Sequence, residues 1–321
     1  MIILAISGCS HKEDSISVLK LTPVVTEISP INPPFSKTND NSTVKSASPN
    51  ETKDQIIPSK IGSASASAAA VSPNGKLVAT VNPDSDSITL VDAIKLTVLA
   101  EISVGEEPRT ITFTPNSQYA LVTNFRSSTV SIINTDQLDE TIHYPVGPMP
   151  YGIVTDGVHA YISEFGLNTV SVITINDGTL IKRIPVEPFP AGIAISGNRQ
   201  LIFVTHFFTG NVTAIQMRTL TTLETVSTGL GTNLSQFIAI STDGKRAYLP
   251  QTRSNTKNTS RLFDTTVFPV VNVLDLSKLQ LLVRKRITLD TADEPVNMPF
   301  SAVISSDDQS IYVANAGSND V

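Results

Sequence analysis

The sequence predicts an all-β fold, a β-propeller of four-stranded blades, and three observations carry that prediction. A Pro followed within two or three residues by an apolar pair recurs at Pro108, Pro150 and Pro190, 42 and 40 residues apart, and again at Pro299. Each recurrence leads into a polar turn and short β-rich runs, and four short strands in about 40 residues is the period of a propeller blade. No segment shows a helical apolar period sustained over ten or more residues. A β-sandwich has similar hairpins, but the in-phase return of proline, turn and strand favours radial repetition.

Composition bounds what such a chain can do. Hydrophobic residues make up 40% of the 321, with 16 glycines besides, which is enough apolar material for a real core. The net charge is −6 and the 23 Lys and Arg residues are scattered, so no nucleic-acid partner is expected. A single Cys excludes intrachain disulfides, Cys-rich zinc sites and iron–sulfur clusters. The Cys-x-x-Cys-His signature of covalent haem is missing too, so no cofactor is expected in this chain. No apolar stretch reaches the roughly 18 residues of a membrane-spanning helix.

The first element is residues 1–9, an apolar run ending in Ile6, Ser7, Gly8 and Cys9. This tetrad resembles the bacterial lipobox, in which small residues precede a cysteine that is acylated and becomes the first residue of the mature protein. The resemblance makes Cys9 the lipidation candidate and the membrane a partner through an N-terminal lipid anchor. A secretory signal normally has a basic n-region and a longer apolar region; here either the true start lies upstream or the likeness is accidental. A buried free cysteine is the other reading, and His11, Lys12, Glu13 and Asp14 fit it poorly. Ser10 after the cysteine, by resemblance to the sorting pattern, points to an outer-membrane protein of the cell envelope, facing the periplasm or the surface. Residues 10–67 are rich in Ser, Thr and Pro and cannot bury enough apolar surface to offset chain entropy. They read as a flexible tether.

Residues 68–321 carry the repeat. Turns rich in Asn, Asp and Gly, which tolerate positive φ, are expected at 72–75, 114–117, 155–157, 196–198, 241–244 and 305–308. After each comes a β-rich run, beginning at Leu77, Tyr119, Ala160, Leu201, Arg246 and Ile311. An alternating strand follows in the first five units, at 87–91, 129–133, 169–173, 211–215 and 270–274, and an outer strand closes the unit, as at 98–104 and 180–186. That makes five complete blades and a sixth that stops within its third strand at Val321. About six blades are expected here and seven in the full-length protein, with the chain truncated at its C-terminus and an open sheet edge.

Propeller families that depend on a Trp, the WD and kelch repeats, are set aside because the chain has none. Leu121-Val-Thr-Asn124, Phe203-Val-Thr-His206 and Tyr312-Val-Ala-Asn315, each leading toward a Thr-Val-like strand, resemble the YVTN family of propeller repeats. Its members include archaeal surface-layer proteins, lactonase-like propellers and bacterial envelope proteins, so the resemblance specifies fold and leaves function open.

In a propeller, the loops joining strands two and three share one face with the loops joining strand four to the next blade. Here that face collects the irregular residues: Arg109, Arg126, Tyr151, Glu164, Phe165, His206, Phe207, Phe208 and Arg253. Aromatic and Arg side chains on variable loops fit a binding surface; the competing reading is that Phe207 and Phe208 cover blade ends and that His206 is a hydrogen-bonded loop residue. Residues 250–269 form a long insertion, and insertions of this length are functional or disordered. Its strings at 249–253 and 263–271 are similar to those of envelope propellers that continue into a cytochrome c or di-haem peroxidase-like domain, which implies a haem region beyond residue 321. Asp84 to Asp86 and Asp290 to Glu294 are acidic loops that either bind a cation or are simply solvated, and no metal is expected. The leading expectation is a lipid-anchored, non-catalytic binding or scaffold module for an envelope protein, glycan or small ligand. The alternatives are the propeller portion of a haem-containing oxidoreductase and a lactonase-like hydrolase.

Overall fold

A computed structural model describes residues 63–197, 200–255, 266–289 and 298–317, all within one compact unit, Gln55–Val321. Cys9, residues 10–62, the acidic stretch 290–294, the middle of the insertion and Asn319 to Val321 lie outside the described residues.

The described chain is built of antiparallel sheets. After β1 (Ala64–Ser65), blade one comprises β2 (Ala69–Val71), β3 (Leu77–Asn82), β4 (Ser87–Asp92) and β5 (Thr97–Ser103). Blade two follows with β6 (Pro108–Phe113), β7 (Tyr119–Asn124), β8 (Thr129–Asn134) and β9 (Asp139–Pro145). Blade three has β10 (Pro150–Thr155), β11 (His159–Glu164), β12 (Thr169–Thr174) and β13 (Leu180–Pro185); blade four has β14 (Pro190–Ser196), β15 (Leu201–His206), β16 (Val212–Gln216) and β17 (Thr221–Val226). Blade five is less regular. Its short β18 (Thr232–Asn233) and β19 (Ala239–Ile240) both pair with a long β20 (Arg246–Ser254), which pairs with β21 (Val267–Asp275); β22 (Gln280–Leu281) and β23 (Ile287–Thr288) share the far edge. The last two strands, β24 (Pro299–Ile304) and β25 (Ile311–Asn315), form the sixth hairpin. Every strand run expected in blades one to four is present, in the expected order.

Alternation explains why these sequences make blades. Successive residues of a strand face opposite sides of its sheet, and here each side meets a neighbouring blade. Ala120 and Val122 of β7 join Ala79, Ile88, Leu90 and Ile111 in the core between blades one and two, while Leu121 between them joins Ile153, Ile162 and Ile173 in the core between blades two and three. Two further cores follow, one packing blade three on four and one packing blade four on five. The inner three strands of blade three are buried almost throughout, whereas outer β13 is mostly exposed. That gradient is why inner strands read as Val- and Ile-rich and outer strands carry Lys, Arg and Glu.

The chain enters through the middle. Ala64 and Ser65 pair antiparallel with Ile195 and Ala194 of β14, Ser67 bridges to Ile111 of β6, and Ala68 accepts from the amide of Val81. The segment thus crosses from blade four to blade two before becoming the inner strand of blade one. Beside it lies a cavity of about 760 Å³, lined by residues 63–67, Phe113, residues 237–240 of blade five and residues 301–304 of β24.

Candidate functional site: an aromatic cluster on the loop face

The loops gather on one face through a repeated local device. The residue before the first proline of a blade has positive φ: Glu107 at 55°, Met149 at 55°, Phe189 at 58° and Met298 at 52°. Its carbonyl accepts the amide of the residue that follows strand two, Phe125 from Glu107, Phe165 from Met149 and Phe207 from Phe189, each at 3.0 Å. This zips the two loop types together and places a phenylalanine at the same point of three successive blades.

These rings meet. Tyr151 and Phe165 stack with centroids 6.0 Å apart, Phe125 sits edge-on to Tyr151 at 6.2 Å, and Phe165 contacts Phe189 at 5.2 Å and Phe207 at 5.9 Å. Phe208 is edge-on to Phe189 and to Phe207, both at 4.9 Å. On the other side Tyr151 reaches Phe237 at 6.4 Å, and Phe237 reaches Phe300 at 4.8 Å. Offset and edge-to-face geometry is what ring quadrupoles favour. Tyr151 and Phe237 are buried; Phe189 and Phe208 are 40% and 55% exposed.

Polar groups fix the cluster. Tyr151 of blade three donates its hydroxyl to Oε1 of Gln236, at the start of blade five, at 2.6 Å. Burial pushes that hydroxyl up to about 12, the nearby Arg109 charge opposing only in part, so it stays a donor at neutral pH. The Arg109 guanidinium lies over Phe125, 4.7 Å from the ring centroid, and 5.8 Å from that of Tyr151, a cation–π arrangement. Arg109 also pairs with Glu107, which takes Arg126 at 3.4 Å as well.

The nine residues singled out on this face fall into three groups. Arg109, Tyr151, Phe165, Phe207 and Phe208 belong to the cluster, and Arg126 stands at its edge with a largely exposed side chain. Glu164 and His206 are fully buried beneath it. Glu164 accepts from the Gly147 amide at 2.7 Å, Thr169 Oγ1 at 2.6 Å and Ser171 Oγ, with Arg183 Nε at 3.4 Å. His206 Nε2 meets Thr213 Oγ1 at 2.7 Å, and burial above all lowers its pKa, against the pull of Glu187. Arg253 is on blade five, opposite Thr232 and Phe268. Sequence reading missed Phe125, Phe189, Phe237, Phe300 and Gln236. The recurrence of Phe after the last residue of strand two, at 125, 165 and 207, was the available signal for the first; the others meet only through the ring of blades.

Elsewhere, Asp156, His159 and Tyr161 form a buried group at the opposite rim, with Asp156 Oδ2 3.1 Å from His159 Nδ1 and 2.9 Å from the Tyr161 hydroxyl. Among the described residues no His, Cys, Asp and Glu gather in a metal-holding group.

Known proteins bear out the architecture. The model of a family described as Lactonase, 7-bladed beta-propeller, matches residues 24–155. No curated protein matches the sequence. Among solved structures, Kuenenia stuttgartiensis hydrazine synthase is similar over 84% of this chain and 78% of its own, at 18% identity and a TM-score of 0.71. A functionally unknown protein from Desulfotomaculum acetoxidans is similar over 68% of this chain and 70% of its own, at 16% identity and a TM-score of 0.55. At such identities the likeness is one of fold. The chain is a β-propeller, with sequence similarity to the lactonase-type propeller family across its amino-terminal part.

Proposed function

We propose that this propeller is a binding module of the cell envelope, anchored through lipidated Cys9, whose loop face captures a partner. The observation that supports this most is the eight-ring aromatic cluster, which rises from buried Tyr151 and Phe237 to exposed Phe189 and Phe208. Exposed rings held by buried ones form a rigid apolar patch, and such patches mark interaction sites. The partner class is an envelope protein, a glycan or a small ligand with an apolar face. Exchanging Phe189 and Phe208 for Ser together removes exposed rings only, so the fold is expected to survive while capture from envelope extracts falls at least tenfold. Equal capture by the double variant sinks the reading. The anchor is tested separately: with a complete signal peptide, Cys9→Ser is expected to move the protein from the detergent phase to the soluble fraction.

The lactonase-family match favours a second reading, hydrolysis of a cyclic ester. Turnover of a lactone panel by purified protein, reduced by substitutions that line the cavity, supports it; no turnover counts against it.

A further inference from the structure

Blade five carries two arginines on one sheet face. Paired residues of adjacent strands share a face, so Arg253 of β20 lies with Phe268 and Val270 of β21 and with Thr232 of β18. Val270 pairs with Thr288 of β23, and Arg286 two residues earlier lies on the same side. Arg286 donates from Nε to Asn272 Oδ1 at 2.5 Å and from Nη2 to the Thr228 carbonyl at 3.3 Å. That same carbonyl accepts from Thr232 Oγ1 at 3.3 Å, directly across from Arg253. Both cations therefore flank the turn Thr228 to Thr232, whose Gly229 and Gly231 have φ of 105° and 77°. Gly229 leaves open space, a Cβ there meeting nothing nearer than Arg286 Nη2 at 3.9 Å.

Charge balance is what makes this pair informative. Among the described residues neither arginine forms an ion pair, and Arg253 Nε is buried without a hydrogen-bond partner. Burial first, and the charge of Arg253 second, weaken the hold of Arg286 on its proton. Two partly buried guanidinium groups with no counter-charge among the described residues are costly to hold, and their planar forks suit an oxyanion with two acceptor oxygens. We infer that Arg253 and Arg286, with the Thr228–Thr232 turn, form a binding site for a small oxyanion, a carboxylate or a phosphate group of a ligand. This extends the loop-face reading only in sharing Arg253; the site would stand if the aromatic cluster captured nothing.

Thermal unfolding of the full chain at constant ionic strength tests it directly, with chloride replaced stepwise by inorganic phosphate in one series and by acetate in another. The melting temperature is expected to rise and saturate with one of the two anions, since a ligand that binds only the folded state stabilises it by mass action. Which series responds distinguishes a phosphate-bearing from a carboxylate-bearing ligand. Arg253→Gln is expected to weaken the response at least tenfold while leaving the melt in chloride unchanged or higher, because one of two like charges is gone. Arg286→Gln also loses the bonds to Asn272 and Thr228, so Arg253→Gln decides the matter. An Arg253→Gln response equal to wild type, or no response to either anion, overturns the site. So does an Arg253→Gln melt lower in chloride with no anion effect in wild type, the sign that a carboxylate of the chain itself fills the place.

Discussion

A buried or half-buried polar residue, the last of strand two in blades one to four and Gln251 within the longer β20 of blade five, ties that strand by its side chain to hydroxyls or amides on strand three. Asn82 donates to Ser87 and Thr89, Asn124 to Thr129 and Ser131, Glu164 accepts from Thr169 and Ser171, His206 meets Thr213, and Gln251 accepts from Asn272. The Asn that ends strand two in blades one and two is thus a structural tie, and Glu164 and His206 are its variants. His206→Asn borrows the residue of two other blades and is expected to fold. Because burial lowers the His206 pKa from 6.5, the unfolded chain takes up its proton first as pH falls. Stability is therefore full above about pH 6.5 and declines below it toward the lowered folded value. The Asn variant should lose that part of the pH dependence in denaturant titrations between pH 7 and 5; an unchanged slope argues against a buried neutral imidazole. Asp156 titrates lower. Burial alone would raise its pKa, but the hydrogen bonds from His159 and Val158 outweigh that and hold it below 3.8. Its contribution is present above the unfolded carboxylate value and is lost only as pH falls through the lower folded one, and Asp156→Asn should flatten stability in that acidic window. Glu164→Ala, which strands several buried donors, is expected to cost at least about 2 kcal/mol by the same measurement.

At the scale of elements, the outer turns show tertiary packing overriding local preference. The turn between strands three and four closes with an amide bonding four residues back, as Leu96 to Asp92, Leu138 to Asn134 and Leu220 to Gln216. The closing residue is a leucine with positive φ in four blades, at 57°, 55°, 52° and 50° for Leu96, Leu138, Leu220 and Leu279. A side chain in that region costs about 1–2 kcal/mol, and Leu138, Leu220 and Leu279 offset it by packing against an interblade core. Blade three has Gly178 instead, where a Cβ would stand 2.2 Å from the Tyr144 ring. Tyr144 fills the leucine's place and donates to the Asn176 carbonyl at 3.0 Å. Inner strands have their own close approach. A Cβ on Gly192 would lie 2.6 Å from the Gln236 carbonyl oxygen and 2.8 Å from Phe237 Cα in the next blade. Gly192→Ala must push backbone aside and is expected to lower stability by about 1–3 kcal/mol, read as a lower denaturant midpoint at unchanged m-value.

For the molecule as a whole, the joints between blades matter most. Beyond the four apolar cores, hydroxyls on strand two reach the inner segment of the next blade: Thr123 donates to the Tyr151 carbonyl at 2.7 Å and Ser163 to that of Ala191 at 2.5 Å, both in first strands, and Thr205 to that of Ser235, between β18 and β19, at 2.9 Å. The entering segment adds a joint of a different kind, since Ala66 packs with Val154, Ile193 and Ile195 and donates its amide to the Ile193 carbonyl at 2.9 Å. Ala66→Asp would bury a carboxylate there and should cost about 2 kcal/mol or more, whereas Val71→Asp, at a position 61% exposed, serves as a nearly silent control. If both variants unfold alike, the entering strand is not part of the fold.

Local pattern alone determined the repeat and, in blades one to four, the strands and turns, because proline, glycine and β-branched residues act through their own backbones and a period needs no partner to be visible. In blade five the pattern reads 250–269 as a loop, where β20 and β21 in fact extend as a paired hairpin to Ser254 and Val267. It also placed Phe165, Phe207 and Phe208 on the loop face. What only the tertiary structure decided depends on which blades touch. Tyr151 of blade three bonding Gln236 at the start of blade five, Phe237 meeting Phe300, and residues 64–67 lying on blades four and two join positions far apart in sequence with no shared motif. Burial was likewise not legible at Glu164 and His206: a polar residue at a strand end reads as loop surface, and only the neighbouring Ser, Thr and backbone donors of the folded blade make its interior position tolerable.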